Sequence, residues 1–585
     1  MPGSARGQRR VSDRRGGRIR RLAGGRLHGT GGNGGRGTDG RIRLLRFLVL
    51  AFLVLVGGRA VALAASSDDL AKLAEQQQTR VVDLPAERGA IVDRNGQELA
   101  VGTPRQTVYA APHMLDHPAA AARKLCDALL ITRKKERRAV QAALSRPESG
   151  FAFVARTVDP GLAKAALALD LPGVGAYAEE KRSYPMRGSA AQVIGFTDLD
   201  NRGIAGIELQ YDEQLSGTAG TRDVVRDTSG RLVRTVRQTD PVSGADVRLT
   251  IDAGIQAVTE DILARTVRGS QAKAAVALVM DPRTGEILAN ANVPVVKNHV
   301  FGRAPEMERN RAVTDMYEPG SIFKLVTISG ALADGVVKPT STFVLQSSIV
   351  VADREISEAQ ERGTVNYSVA QIMQWSSNVG AVTIAKKMGK HDLSEWVEDF
   401  GFGKPTGVDF PGEIPGSVMP VDEWSGSSIG NIPMGQGIAV TPLQMATAAC
   451  AVANNGFMVR PRLVAQVGAT VLDEEEKRRV IPARVARQVR DMLALAVAEG
   501  TGQKAQLPRH KVAGKTGTSQ KADGSGYSKS DYVASFVGMV PADRPRLVVL
   551  VAVDEPRTSH SGGEIAAPAV REIMSFALQH LEIGP

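Results

Sequence analysis

Three short segments in the C-terminal half carry residue types that could do chemistry together. The first is Glu318-Pro-Gly-Ser-Ile-Phe-Lys324, which runs into the apolar stretch Leu325-Val-Thr-Ile328. Pro319-Gly320 marks a break, which predicts Ser321 in the first turn of a helix that is buried downstream. Positions i and i+3 share a helix face, so Lys324 is expected against Ser321. A serine hydroxyl is a weak nucleophile and needs a neighbouring base. A helix N-terminus adds free N–H groups and a positive dipole end, which suit a developing oxyanion. Taken alone, Ser-x-x-Lys is more often a solvated helix surface.

The second segment is Trp375-Ser376-Ser377-Asn378, between helical stretches. Its hydroxyls and amide could relay a proton and hold a carbonyl; the plainer reading is a helix cap. The third is Gly514-Lys515-Thr516-Gly517-Thr518, beginning on the strand-like Lys511-Val-Ala. Gly-Lys-Thr invites a phosphate-loop reading, but that motif requires glycine at position 509, where Arg509 stands. Nucleotide binding is rejected. A glycine in a strand lets another backbone or a ligand come close, and Lys515 with the two threonines could then bind a carboxylate.

The elements that must position these residues can be read around them. Residues 246–252 alternate like a strand, and a helix is expected over 254–267. Residues 274–280 and 286–293 form an apolar strand pair, and residues 533–540 and 546–553 form another. A helix over about 566–581 closes the chain. Strands at both ends with helices between predict an α+β domain on an antiparallel sheet. Upstream, residues 66–240 form a mixed, loop-rich module without evident chemistry. Asn95-Gly96 predicts a hairpin turn, residues 115–170 look helical, residues 184–220 are turn-rich, and residues 223–238 predict a hairpin around Ser229-Gly230.

The 585 residues suffice for two or more domains. The formal charge of +11 is confined to the first 46 residues, which hold 13 Arg against 2 Asp; the remainder carries 60 basic and 60 acidic residues. A basic nucleic-acid-binding domain is therefore excluded as the source of the charge. Residues 1–43, rich in Arg and Gly, read as a disordered tail. Residues 44–65 read as a single transmembrane anchor, since the apolar run over 47–65 is about 28 Å long as a helix, close to the ~30 Å hydrocarbon core. Basic residues on its N-terminal side place the N-terminus in the cytoplasm and the rest outside. A cleaved signal peptide ending at Ala62-Leu63-Ala64 is the rival reading. Cys126 and Cys450 lie in helical, apolar contexts and read as small buried hydrophobes.

Each chemical segment is weak alone, but Ser-x-x-Lys, Ser-x-Asn and Lys-Thr-Gly in this order resemble the penicillin-recognising serine enzymes. Arg88-Gly-Ala-Ile-Val-Asp-Arg-Asn-Gly96, Tyr184-Pro185, Val193-Ile-Gly-Phe-Thr197 and Gly206-Ile-Glu-Leu209 are similar to the pedestal of class B penicillin-binding proteins. Leu249-Thr-Ile-Asp252, Tyr317-Glu-Pro-Gly-Ser321 and Met434-Gly-Gln-Gly437 are similar to their transpeptidase domain. The chain looks closest to the division-specific, FtsI-like branch, with elongation-type enzymes as the neighbouring alternative. The resemblance implies an elongated pedestal (dimerisation-type) domain over 66–240. It also implies a transpeptidase domain over 245–585, with an antiparallel sheet flanked by helices as in serine β-lactamases.

The resemblance further implies roles. Ser321 attacks a stem peptide ending in D-Ala-D-Ala, and Lys324 accepts its proton. The N–H groups of Ser321 and Thr518 hold the oxyanion, and Ser376 passes a proton to the leaving D-Ala. Asn378 holds the donor amide, and Lys515, Thr516, Gly517 and Thr518 form the carboxylate-binding strand. No metal or cofactor is required. Peptidoglycan stem peptides, β-lactams, a membrane glycosyltransferase and other division proteins are the implied partners, with the catalytic domain outside the inner membrane. A D,D-carboxypeptidase, a β-lactamase and a non-catalytic wall-synthesis scaffold stay open.

The charge asymmetry yields a test of topology. Protease added to spheroplasts should digest the chain beyond residue 65, and a mature N-terminus near residue 65 would reveal cleavage instead. Full protection of that region contradicts the N-in, C-out reading.

Overall fold

The centre of the C-terminal half is a five-stranded antiparallel sheet. Its strands run in the spatial order Ile287–Val293, Ala274–Met280, Leu547–Asp554, Tyr527–Val540, Ala513–Ala522. Every residue of Ala274–Met280 and Ile287–Val293 is buried, which explains why the first reads as an unbroken apolar run, while the second also buries the amides of Asn290 and Asn292. Ala275, Ala277, Val549 and Val551 face the helices Ala253–Ser270 and Gly562–His580, through Ile255, Ile262, Val570 and Ile573. Val276, Leu278, Val548 and Leu550 face the opposite way, into a larger core with Leu325, Val326 and Ile328 of the nucleophile helix. Two apolar layers therefore clamp the sheet, and the last strand in the order, Ala513–Ala522, is left with a free edge.

The computed structural model describes residues 38–65, 79–186, 188–226, 232–296, 308–472, 477–522 and 526–585. The chain divides into two units, Met1–Arg80 with Val224–Thr235, and Val81–Asp223 with Val236–Pro585. In the first, Thr38–Ala65 is one helix. Its segment Gly40–Ala64, 25 residues with none of it buried, is long and apolar enough to cross a membrane. The expected tail over 1–43 lies outside the described residues as far as 37. Beyond that it is helical rather than disordered, because Thr38 to Arg43 continue the apolar helix upstream.

In the second unit, Ile91–Val92 and Glu98–Ala110 pair as the hairpin expected at Asn95-Gly96, with Asp93 Oδ1 accepting from the N–H groups of Asn95 (2.7 Å) and Gln97 (2.8 Å). The helical expectation over 115–170 holds for Pro118–Ala128, Lys134–Leu144 and Pro160–Leu167. It fails between them: Ala152–Val158 is a strand paired with Glu98–Ala110. Phe151 to Val154 alternates exposed and buried residues, a period of two that the surrounding alanines hide. The alternation over 223–238 lies in the strands Gly220–Arg226 and Leu232–Thr239; the turn expected at Ser229-Gly230 lies outside the described residues. Both cysteines are buried and free.

The strand expected within 246–252 is present and belongs to a second sheet. Val247–Leu249 is not part of the five-stranded sheet that follows it in sequence. It pairs in parallel with Ile91–Val92 and antiparallel with Val464–Val467, inside a seven-stranded sheet. Short local alternation identifies a strand but not its partner, and the partners here are about 150 and 215 residues away.

The segments of the first half that resembled a pedestal meet at a buried ion cluster. Glu208 is fully buried, and Arg88 and Arg182 nearly so. Arg88 Nε donates to Glu208 Oε2 at 2.8 Å and Arg182 Nε to Glu208 Oε1 at 2.7 Å. Arg88 also donates to Asp212 Oδ1 (2.7 Å) and Arg182 to the carbonyl of Gly89 (2.9 Å). Removing one member of such a cluster strands the others without a counter-charge. Glu208→Ala is expected to cost about 3–5 kcal/mol, read as a lowered urea midpoint or melting temperature. An unchanged midpoint would contradict this role.

Candidate active site

Ser321 lies where the sequence places it. A single 3₁₀ turn, Gly320–Phe323, runs directly into the helix Lys324–Ala333. In a 3₁₀ turn residues i and i+3 eclipse one another, so Ser321 and Lys324 are stacked on one side. Ser321 is half-buried, whereas Lys324 is fully buried among the apolar residues that follow it. The break before Ser321 is enforced by Gly320, which has φ +55° and on which a methyl group would lie 2.7 Å from the carbonyl of Thr518.

Ser376 and Asn378 sit at a junction between the helices Val369–Gln374 and Asn378–Met388. Ser376 has φ +58°, a left-handed conformation that costs a non-glycine residue about 1–3 kcal/mol and is found mainly at functional sites. Ser377 is the helix cap, accepting from the N–H of Gly380 at 3.0 Å. The capping reading and the chemical reading of this segment thus fall on adjacent residues.

Lys515 lies on the edge strand, fully buried, in register with Val537. Thr516 and Thr518, two apart, share the other face of that strand. Thr518 is exposed, and Thr516 is buried with its hydroxyl 3.0 Å from that of Thr501. Gly517 serves a close approach: a methyl group there would lie 2.8 Å from the carbonyl of Pro319, in the segment that ends at Ser321.

The hydroxyl of Ser376 joins the three segments. Lys515 Nζ donates to Ser376 Oγ at 2.8 Å, and Lys324 Nζ lies 3.3 Å from the same oxygen. Lys324 also donates to the Ser376 carbonyl (2.5 Å) and to Asn378 Oδ1 (2.7 Å). Its hydrogen bonds therefore go to the Ser-x-Asn segment, and none among the described residues goes to Ser321. A neutral amine has two N–H donors. With both engaged by the Ser376 carbonyl and Asn378 Oδ1, its lone pair is directed toward the third neighbour, the Ser376 hydroxyl.

Burial lowers Lys324 to about 7, against an opposing pull from Glu358. Lys515 is also lowered well below the usual lysine range, first by burial and then by the charge of Lys324. Two ammonium groups bridged by one hydroxyl in a dry site repel each other, so each favours loss of the other's proton.

Glu358 is a functional residue that sequence reasoning missed. Its oxygens accept from Ser377 Oγ at 2.5 Å and from the N–H of Asn378 at 2.8 Å, and it pairs with Arg362. It thereby fixes the Ser-x-Asn turn and sets part of the field at Lys324. It lies in no motif, and only its fold position gives it this role.

Fold and site together are those of a serine acyl-transfer enzyme. Residues 275–575 match the penicillin binding protein transpeptidase domain, and residues 83–249 match the penicillin-binding protein dimerisation domain. The chain is 32% identical to the peptidoglycan D,D-transpeptidase FtsI of Escherichia coli, over 92% of this chain and 91% of that one. It is likewise 32% identical to stage V sporulation protein D of Bacillus subtilis, covering 93% and 86%. Penicillin binding protein 3 of Mycobacterium tuberculosis, solved in complex with aztreonam, superposes with a TM-score of 0.69 at 29% identity, over 86% of this chain and 98% of that structure. The chain belongs to the class B penicillin-binding proteins, on their FtsI-like branch.

Because Glu358 holds Lys324 up, removing its charge should lower the Lys324 pKa further. In Glu358→Gln the Lys324 amine is expected to lose its proton at lower pH than in the wild type, followed by NMR of labelled lysine side chains. An unmoved or upward titration would contradict the assignment.

Proposed function

We propose that the chain is a membrane-anchored peptidoglycan D,D-transpeptidase in which Ser321 forms the acyl-enzyme. The observation that carries this reading is the Ser376 hydroxyl held between two buried lysines, with Lys324 stacked one turn after Ser321. Ser321 Oγ attacks the carbonyl of the penultimate D-Ala of a donor stem, and its proton passes to the lone pair of Lys324. The N–H groups of Ser321 and Thr518 receive the oxyanion; losing one such donor typically costs ~10²–10³ in rate. As the C–N bond breaks, the proton on Lys324 moves through Ser376 Oγ to the leaving D-Ala amine. A neighbouring stem amine then attacks the ester, returns a proton to Ser321, and leaves a cross-link.

The donor's terminal carboxylate has a part in setting the proton count. Bound beside Lys515, Thr516 and Thr518, it keeps Lys515 charged. That charge, next to Lys324, favours the neutral form that attack on the substrate requires. Asn378 contacts the donor amide while holding Lys324. Septal wall synthesis is the role suited to an FtsI-like chain, with the N-terminus cytoplasmic and the catalytic domain outside. A membrane glycosyltransferase and other division proteins are the partners that suit this role. β-Lactams would acylate the same serine.

Labelled penicillin should attach to Ser321 and persist for many minutes, as located by peptide mass spectrometry. An adduct on another residue contradicts the assignment, and rapid turnover favours a β-lactamase. Acylation should decline as pH falls below about 7, where Lys324 becomes protonated. Lys324→Arg keeps the charge but does not deprotonate at working pH. It should slow acylation by about 10²–10⁴, the usual worth of a general base, in a variant that still folds, with the melting temperature measured alongside. Near-normal acylation by the folded arginine variant would end the general-base reading.

A further inference from the structure

Glu318 precedes Ser321 by three residues and takes no part in the chemistry proposed above. Its carboxylate nevertheless reaches two other walls of the site. Oε1 accepts from the N–H of Gly437 at 2.9 Å and from the hydroxyl of Tyr527 at 2.9 Å. Its own carbonyl accepts from Ser519 Oγ at 2.6 Å. Tyr317 exchanges both backbone hydrogen bonds with Val440 (3.0 and 2.9 Å), and the N–H of Gly320 donates to the carbonyl of Gly435 at 3.1 Å. The segment over 317–320 is thus held by residues 435–440 and by the strands Ala513–Ala522 and Tyr527–Val540, and Glu318 bonds to both groups.

The surroundings raise the stakes of this carboxylate. Its second oxygen, Oε2, is buried without a hydrogen-bond partner among the described residues. Burial pushes the Glu318 pKa up, while the Gly437 and Tyr527 donors hold it down. A buried carboxylate with only two donors is costly unless those donors matter. Tyr527 belongs to the strand that pairs with Ala513–Ala522, and its hydroxyl meets the N–H of Gly437 at the same Glu318 oxygen.

We infer that Glu318 is a positioning residue, which with Tyr527 and Gly437 clamps the Ser321 segment against the edge strand and so fixes the serine oxygen relative to the amide of Thr518. This rests on Ser321 being the nucleophile. A misplacement of about 1 Å at a reacting atom can cost about 10²-fold in rate, and a clamp of this kind acts on the chemical step rather than on binding.

The test uses the full-length protein in detergent, with pre-acylation affinity for a penicillin and the acylation rate constant measured separately. Glu318→Ala is expected to slow acylation by about 10²-fold with affinity unchanged. Glu318→Gln, whose amide oxygen can accept from the same two donors, should recover most of that rate. Tyr527→Phe, which removes one hydrogen bond to a charged group, should slow acylation by about tenfold. Combined with Glu318→Ala it should add nothing further. Wild-type acylation rates in Tyr527→Phe and Glu318→Ala, or losses confined to melting temperature, overturn the clamp. Should Glu318→Ala fail to fold, the tyrosine variant and the glutamine variant decide the matter by themselves. A wild type that takes no label at Ser321 fails the nucleophile assignment itself, and is distinguished by that absence.

Discussion

Desolvation of two lysines governs this molecule. Free in water, Lys324 and Lys515 would both be charged and useless as bases at neutral pH. Placed in an apolar core, with one hydroxyl between them, they compete for protons. The arrangement needs a dry interior, a rigid register and a source of negative charge at a controlled distance. Much of the C-terminal half can be understood as providing these three things. The nucleophile helix supplies dryness, since Lys324 is followed by buried residues from Leu325 to Leu332. The sheet supplies the register, and Glu358 supplies the charge.

Rigidity comes from close backbone approach rather than from side-chain mass. The strand carrying Lys515 lies almost on the carbonyl of Pro319 because position 517 has no side chain, and the turn at Gly320 in turn lies on the carbonyl of Thr518. Each segment leaves room for the other at matching positions. Ser376 contributes differently, by holding a left-handed backbone that brings its carbonyl to Lys324 and its hydroxyl to Lys515. A relaxed backbone there would separate the two functions.

The three chemical segments were legible in the sequence because each carries its signal within a few residues, and so were the apolar strands of the five-stranded sheet. The order of the segments added what no one of them contained. Contacts between distant residues were not legible. Helical spacing puts Lys324 and Ser321 on one side but carries no sign that the lysine's hydrogen bonds go to Ser376 and Asn378, 52 and 54 residues away. Glu358 left no local trace, because a carboxylate between two short strands resembles any solvated loop residue. The strand Ala152–Val158 is hidden among alanine-rich helices, and the alternation that marks Val247–Leu249 as a strand does not name its partners. The tail was read from composition alone, which missed the upstream continuation of the membrane-length helix.

The strand Val247–Leu249 has a wider meaning. Val247–Leu249 is hydrogen-bonded on one side to Ile91–Val92 and on the other to Val464–Val467, so a single sheet runs through both the dimerisation-type module and the transpeptidase module. Modules joined by a flexible linker can be exchanged between genes as beads on a string. Modules that share a sheet cannot, because a foreign partner must match strand register and side-chain alternation at every rung. Recombination between relatives should therefore succeed at crossover points that keep residues 91–92, 247–249 and 464–467 from one parent. For this chain the natural unit of inheritance is larger than either domain, and its border follows hydrogen bonds rather than sequence position.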